Sequence, residues 1–260
     1  MSFSVGGTTM NNLSAIYHES LLAQCAQDPG AVQDALRLRY QVYCLERGYE
    51  DYSRFPDHME TDEYDDAATH VLVRNRSDGT TVGTSRLVFD DGHGLPIRTH
   101  GSRSVEQQLA RTRQLNPSCR IAEVSRFAVT RTFSTLMSQQ QSVMVSSRHV
   151  TMGLVALLFR QSWESGVTHW TALLNAALIR FFTRVGIHFQ PIGPVINHRG
   201  ARQPVMASLD ALWSGVKAEG TALARLAGQL VEADAGRSDP RRPVRGERRG
   251  PAPMIEDRIA

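Results

Sequence analysis

The nine residues IAEVSRFAV, 121–129, decide the fold. They read as a buried β-strand, apolar except for Glu123, Ser125 and Arg126. Strict alternation would send Glu123 and Arg126 to opposite faces, whereas a β-bulge between them would bring both to one side. Downstream, 148–165 is an apolar helix ending at Gly166, and THWTALLN (168–175) is a strand. A helix at 176–185 stops at Gly186. HFQPIGPV and RQPVMASL follow as two final strands interrupted by prolines, and 208–232 closes the chain as a helix. Upstream, 69–75 and 82–89 pair as a hairpin across Asp78-Gly79. Residues 31–46 form a helix with Val32, Ala35, Leu36, Arg39, Val42 and Tyr43 on one stripe. Strands in series followed by strand–helix–strand–helix–strand imply an α/β or α+β sandwich with a mixed sheet.

The 260 residues suffice for one substantial domain or two small ones. Hydrophobic content of 41% and charged content of 21% are those of a soluble globular chain. No apolar run has the length of a membrane span, and MSFSVGGTTMNN lacks the features of a secretory signal, so a cytoplasmic location is expected. The formal net charge of +3 resides in residues 236–260, which hold seven arginines and four acids. The balanced remainder argues against a nucleic-acid-binding core. Residues 1–12 and the Arg/Pro-rich tail 236–260 are expected to be disordered, with a domain over 13–210 and a C-terminal helix over 211–235. Cys25, Cys44 and Cys119 are odd in number and far apart, which disfavours a disulfide framework or a zinc site.

METDEYDD (59–66) concentrates five carboxylates in eight positions. Arg39 lies on the apolar stripe of its helix, and Arg86 alternates with Val82, Thr84 and Val88 on a strand face. A buried guanidinium needs a carboxylate partner. Asp62 and Asp65, three apart, are expected to pair with Arg39 and Arg86, while Glu60 and Asp66 are expected to be solvated. Such a network serves stability alone or marks an active site. The acidic run lacks the spacing and central glycine of an EF-hand loop, so no metal site is expected. His58, His70 and His198 have no helical ligand partner and read as packing or surface residues.

LRLRYQVYCLERGYE, METDEYDD, VGTSRLVF and EVSRFAV occur in the order and at about the spacing seen in acyl-homoserine-lactone synthases and N-acyl amino acid synthases. The chain resembles still more the exosortase-associated (PEP-CTERM system) acyltransferases, through YCLERGYE and HFQPIGPVINHRGARQP. The resemblance spans about 31–208. It implies a GNAT-type fold: a mixed, splayed β-sheet flanked by helices, in the order α-β-β-β-α-β-α-β-β. It further implies transfer of an acyl group from a thioester to an amine.

Residue by residue, the resemblance carries over Arg39, the aromatic Tyr43, Tyr49 where the synthases often have Trp, Asp62, Asp65 and Arg86. It also carries over Glu123 with the triplet Ser125, Arg126 and Phe127. Glu123, Ser125 and Arg126 are the catalytic candidates; the others are candidates for substrate binding. Glu123 is the expected general base, and backbone N–H groups near Ser125–Phe127 the expected oxyanion donors.

Two departures bear on the substrate. Tyrosines at 43 and 49 put a homoserine-lactone pocket in question, and the segment 186–208 is unlike that of the lactone synthases. RTFSTLMSQQQS, after the 121–129 strand, lacks a glycine-rich pyrophosphate loop. The expected donor is therefore an acyl-carrier-protein thioester carried on phosphopantetheine, ahead of acyl-coenzyme A, with no permanently bound cofactor. The expected partners are the carrier protein, received by a surface containing Arg111, Arg113, Arg131 and Arg148, and a small-molecule amine. Val155, Leu158 and Phe159 are read as acyl-cleft lining or as core. A lactone-forming signal synthase and a non-catalytic module of the same fold are the rival readings.

Overall fold

The computed structural model describes residues 16, 17, 19–90, 94–100, 102–131, 145–220 and 222–235. The expected disordered segments, 1–12 and 236–260, lie outside them, as does most of the segment after the 121–129 strand.

The strands are β1 (Leu21–Cys25), β2 (Ala68–Asn75), β3 (Thr81–Phe89), β4 (Ile121–Val129), β5 (His169–Leu174), β6 (Gln190–Pro191), β7 (Ile196–Asn197) and β8 (Ala201–Ser208). They form one sheet in the order β1-β2-β3-β4-β5-β8-β6, with β7 paired to β8 off this path. All pairings are antiparallel except β4–β5. The helices are α1 (Pro29–Tyr40), α2 (Pro96–His100), α3 (Arg103–Leu115), α4 (Ser147–Glu164), α5 (Ala176–Arg184), α6 (Leu209–Ala218) and α7 (Ala222–Ala235). A mixed sheet flanked by helices is the architecture expected from the sequence.

The order is richer than expected. Edge strand β1 and helices α2 and α3 have no counterpart in the sequence reading. The last helix is two helices, parted at Gly220, whose φ of 55° ends a right-handed helix. The chain from 188 to 209 forms two dipeptide strands and one long strand rather than two strands.

Alternation along β2 sorts the two faces of the sheet. Val71 and Val73 join the main core around α4, whereas Leu72 packs with Ala31 and Ala35 of α1. His70 and Leu72 lie opposite Arg86 and Thr84, and Arg86 lies opposite Ser125. Arg86, Ser125 and Glu123 therefore share the α1 face of the sheet. Val155, Leu158 and Phe159 are fully buried in the core on the α4 side, which settles them as core rather than cleft lining.

α1 starts where the sequence provides a cap. The Asp28 carboxylate accepts from Ala31 N–H at 3.0 Å, and Pro29 occupies the first turn, where its missing N–H costs nothing. The helix then widens into a π-helical stretch, Gln41–Glu46. Such bulges recur at functional sites, and this one carries Tyr43. Gly48, at φ 61°, turns the chain back, so that Tyr49 and Glu50 N–H groups donate to the Tyr43 carbonyl at 2.7 and 3.2 Å.

β4 pairs with β5 only over Ile121–Glu123 against His169–Thr171. Beyond Glu123 the two strands part, and this splay opens the cleft described next.

Candidate active site

The bulge expected in β4 is present. Thr84 pairs with Ala128 and Arg86 with Ser125, so Arg126 and Phe127 together oppose Ser85. Arg126 takes φ 51°, a left-handed conformation uncommon for a side chain of its size. This turn delivers the guanidinium to the face holding Arg86 and Glu123.

Three arginines and three carboxylates close a ring there. Arg39 Nε meets Glu60 Oε2 at 2.5 Å, and its two terminal nitrogens meet Asp65 at 2.5 and 3.1 Å. Arg86 grips Asp62 in bidentate fashion at 2.5 and 2.8 Å and reaches Asp65 at 2.5 Å. Arg126 meets Asp62 at 2.6 Å and Glu60 at 3.0 Å. Following the contacts from Arg39 through Glu60, Arg126, Asp62, Arg86 and Asp65 returns to Arg39. Each charge has two opposite neighbours, which offsets the desolvation of charges this deep. Arg39 and Arg86 are fully buried and Glu60 is 1% exposed.

The pairing expected for Asp62 and Asp65 is present, but Glu60 is not the solvated residue expected. Its backbone N–H donates to Leu36 of α1 at 3.2 Å, which pins it under the helix where Arg39 needs a partner. Asp66 is exposed, as expected. The acidic run is itself a tight turn: Asp65 Oδ2 accepts from Asp62 N–H at 2.8 Å, and Asp62 Oδ1 from Tyr64 N–H at 3.0 Å. The arginines hold the Asp62 and Asp65 carboxyls below the usual carboxylate range, against the opposing effect of burial. Among the described residues, no group of three His, Cys, Asp or Glu side chains is placed to hold a metal ion.

Glu123 stands apart from the ring. It is 2% exposed and has no ion-pair partner among the described residues. Its Oε2 accepts from the backbone N–H of Ile97, in α2, at 2.6 Å. Burial pushes its pKa up to about 8, opposed by that hydrogen bond and by the charges of Arg86 and Arg126. Ser125 Oγ accepts from Arg86 Nε at 3.1 Å, so the hydroxyl is tied to the ring.

These groups face one cleft of about 390 Å³. Its polar floor is Glu60, Asp62, Glu123, Ser125 and Arg126; Phe127, Val129, Leu173, Leu174 and Leu178 supply an apolar wall where β4 and β5 diverge. Tyr43 and Tyr49 line the opposite side with ring centroids 6.2 Å apart. Every sequence-singled candidate except Arg39, Asp65 and Arg86 reaches the cleft, and those three support its floor from below.

Several residues at the cleft had no sequence signal as site residues. Besides Glu60, they are the Ile97 N–H, the stacked His100–His198 pair with centroids 3.9 Å apart, and Arg199 and Arg202. His198, read from the sequence as a packing or surface residue, is a cleft residue. His58 stacks on Tyr40, and His70 is buried beside Asp65 at 3.7 Å, as a packing reading expects. The four arginines named as a carrier-docking surface do not gather in one place. Arg113 pairs with Asp90 near the start of β4, and Arg131 with Glu46 beyond its end. No helix among the described residues is long and apolar enough to cross a membrane.

FeeM, an N-acyl amino acid synthase from uncultured soil microbes, is 19% identical, with a TM-score of 0.54 over 75% of this chain and 93% of that one. The acyl-homoserine-lactone synthase LasI is 20% identical, with a TM-score of 0.51 over 75% of this chain and 96% of that one. TofI, solved with an inhibitor and MTA, is 20% identical, with a TM-score of 0.52 over 78% and 98%. At these identities the likeness is one of fold, and the fold is the GNAT-like acyltransferase sandwich. No curated protein matches. The family model described as "N-acyl amino acid synthase FeeM" matches residues 34–210, which carry the ionic ring, Glu123 and both walls of the cleft, and the chain belongs to that family.

Proposed function

We propose that this protein moves a fatty acyl group from an acyl-carrier-protein thioester to the amine of an amino acid or a related small molecule. The observation that carries the reading is Glu123. It is a buried carboxyl with a pKa of about 8, placed where two strands diverge around an apolar cleft. A general base works best when its pKa is near that of the group it deprotonates, and an α-amine has a pKa of about 8.

In the proposed step Glu123 in its ionised form, which is populated as pH approaches its pKa of about 8, takes a proton from the incoming ammonium group, and the free amine attacks the thioester carbonyl. A C–N bond forms, and the carbonyl oxygen becomes an oxyanion facing backbone N–H groups of the bulge at Ser125–Phe127. Collapse breaks the C–S bond, the departing thiolate takes the proton from Glu123, and the carboxylate so restored takes the surplus proton from the amide nitrogen and releases it to solvent. Amide and thiol leave with no covalent enzyme intermediate. Tyr43 and Tyr49 flank the acceptor, and the ring of Arg39, Asp65, Arg86, Asp62, Arg126 and Glu60 holds the floor rigid. The acyl chain lies along Phe127, Leu173, Leu174 and Leu178.

The sequence after β4 favours a carrier-protein donor, since it lacks a glycine-rich pyrophosphate cradle. A cytoplasmic location fits that donor. The link to exosortase sorting rests on the sequence resemblance alone, through YCLERGYE and HFQPIGPVINHRGARQP.

Mass spectrometry of lipid extracts from bacteria expressing the wild type and Glu123→Gln tests the reading. New N-acyl amino acids in the wild type alone support it. A cyclised homoserine product would select lactone synthesis instead. Identical profiles, with purified protein inert toward acyl carrier proteins and all amino acids, would leave a non-catalytic module.

A further inference from the structure

Among the described residues, the guanidinium of Arg202 at the cleft is paired with no anion. β7 and β8 are joined by a tight hairpin whose turn, 198–200, uses Arg199 at φ 52° and Gly200 at φ 90°. Arg202 lies at its base. Its Nε donates to the His198 carbonyl at 3.3 Å and its Nη2 to the Arg199 carbonyl at 3.1 Å. The guanidinium lies 5.8 Å from the Tyr49 ring centroid. Two carbonyls and an aromatic face orient this cation, yet among the described residues no carboxylate is within ion-pair distance of it, and Nη1 makes no hydrogen bond. Of the acids lining the cleft, Glu50 is engaged by Arg199 and Glu60 and Asp62 by the ring, while Glu63 is exposed and Glu123 is held by the Ile97 N–H.

Arg199 is paired with Glu50 and Arg126 with the ring, so the charge of Arg202 is the one in this corner that these acids do not offset. His198 is pushed down to about 4, by burial and then by His100, Arg126 and Arg202. Arg199 is lowered by burial and by Arg202 and Arg39. This corner of the cleft thus has an excess of positive charge and a preformed fork of donors, the arrangement that suits a carboxylate. It shares the cleft with the base: Arg202, His198, His100 and Glu123 all line it, and His100, which stacks on His198, ends the five-residue helix whose Ile97 N–H binds Glu123.

We infer that Arg202, with the His198–Arg199 turn that holds it, receives the carboxylate of the acyl acceptor, so that the site selects amines bearing a carboxylate over neutral amines. This rests on the N-acyltransferase reading but is testable without turnover. N-decanoyl derivatives of the amino acids, each as free acid and as primary amide, are titrated by calorimetry against wild type, Arg202→Gln and Arg202→Lys. Circular dichroism checks the folding of each variant.

The wild type is expected to bind the acids roughly tenfold or more tightly than the amides, the scale of one charge-assisted hydrogen bond. Arg202→Gln should erase that difference while leaving amide binding intact, and Arg202→Lys should restore part of it. Equal binding of acid and amide by the wild type overturns the inference, as does an acid preference that survives in a folded Arg202→Gln. If the acids bind through Arg202 but no acyl transfer is found, the carboxylate site stands and the catalytic reading fails.

Discussion

Glu123 accepts a hydrogen bond from the Ile97 backbone N–H and, among the described residues, forms no ion pair with the arginines that crowd the same face of the sheet. The ring made of Arg39, Arg86 and Arg126 is already balanced by three carboxylates, so none of the arginines needs Glu123. The protein thereby keeps one carboxyl near the pKa of an amine while Asp62 and Asp65 are held below the usual carboxylate range. Replacing Glu123 by Gln keeps an oxygen for the Ile97 N–H and removes the base. The expected result is a fall in kcat of roughly 10²-fold or more with little change in KM. Initial-rate kinetics in an acyl-transfer assay check it, and near-normal turnover would remove Glu123 from the mechanism.

The same carboxyl makes stability depend on pH in a defined direction. Its folded pKa, about 8, is above the 4.5 of a free glutamate, so the native state holds a proton that the unfolded chain releases between these values. Stability is fully present below pH 4.5 and is lost as pH rises through 8, by roughly 5 kcal/mol once ionisation is complete. Thermal melts of wild type and Glu123→Gln should coincide in their pH-specific difference near pH 5 and diverge toward pH 9, with the variant the more stable. A gap constant across that range would contradict the burial of an uncharged Glu123.

The ring separates two acids by depth. Asp65 joins Arg39 to Arg86 beneath the cleft, whereas Asp62 joins Arg86 to Arg126 at its floor. Asp65→Asn leaves two buried arginines short of charge, and breaking such a pair costs about 3–5 kcal/mol. Asp62→Asn should cost less stability but lower activity strongly, because it leaves the Arg126 guanidinium held by Glu60 alone at the floor of the cleft. Denaturant melts and initial rates measured on both variants check the ordering; a reversed ordering would contradict the assignment. Both carboxyls are depressed in the folded state, so their contribution is present above the unfolded carboxylate pKa and is lost on acidification through the folded values.

Much of the scaffold was legible because its signals are local. The 121–129 strand, the Asp78-Gly79 hairpin and the glycine stops at 166 and 186 depend on residues within a few positions of one another. The bulge in β4 could be anticipated from the mismatch between Glu123 and Arg126. Glu60 could not, because its neighbours in sequence are those of a solvated turn and its burial depends on Leu36 and Arg39 above it. The Ile97 donor is a backbone group in a five-residue helix, which no side-chain pattern announces. Strand β1 escaped notice because LLAQC is short and lacks alternation; its place is set by pairing with β2. Arg202 matters through what does not surround it, which a sequence cannot display.

The apolar wall of the cleft sets the room for the acyl chain. Leu178 projects from the first turn of α5, whose position is fixed by the Asn175 side chain accepting from Leu178 N–H at 2.8 Å. That cap anchors the helix, so an enlarged side chain at 178 extends into the cleft rather than displacing α5. Leu178→Trp should therefore exclude the terminal methylenes of long chains. Each buried CH₂ contributes about 0.8 kcal/mol, so losing room for two shifts the preference toward shorter chains by roughly tenfold. Chromatographic profiling of the acyl products of wild type and Leu178→Trp reads this directly. A shortened product distribution with kcat retained for the shorter donor places the chain between β4 and β5; an unchanged distribution in an active variant places it elsewhere.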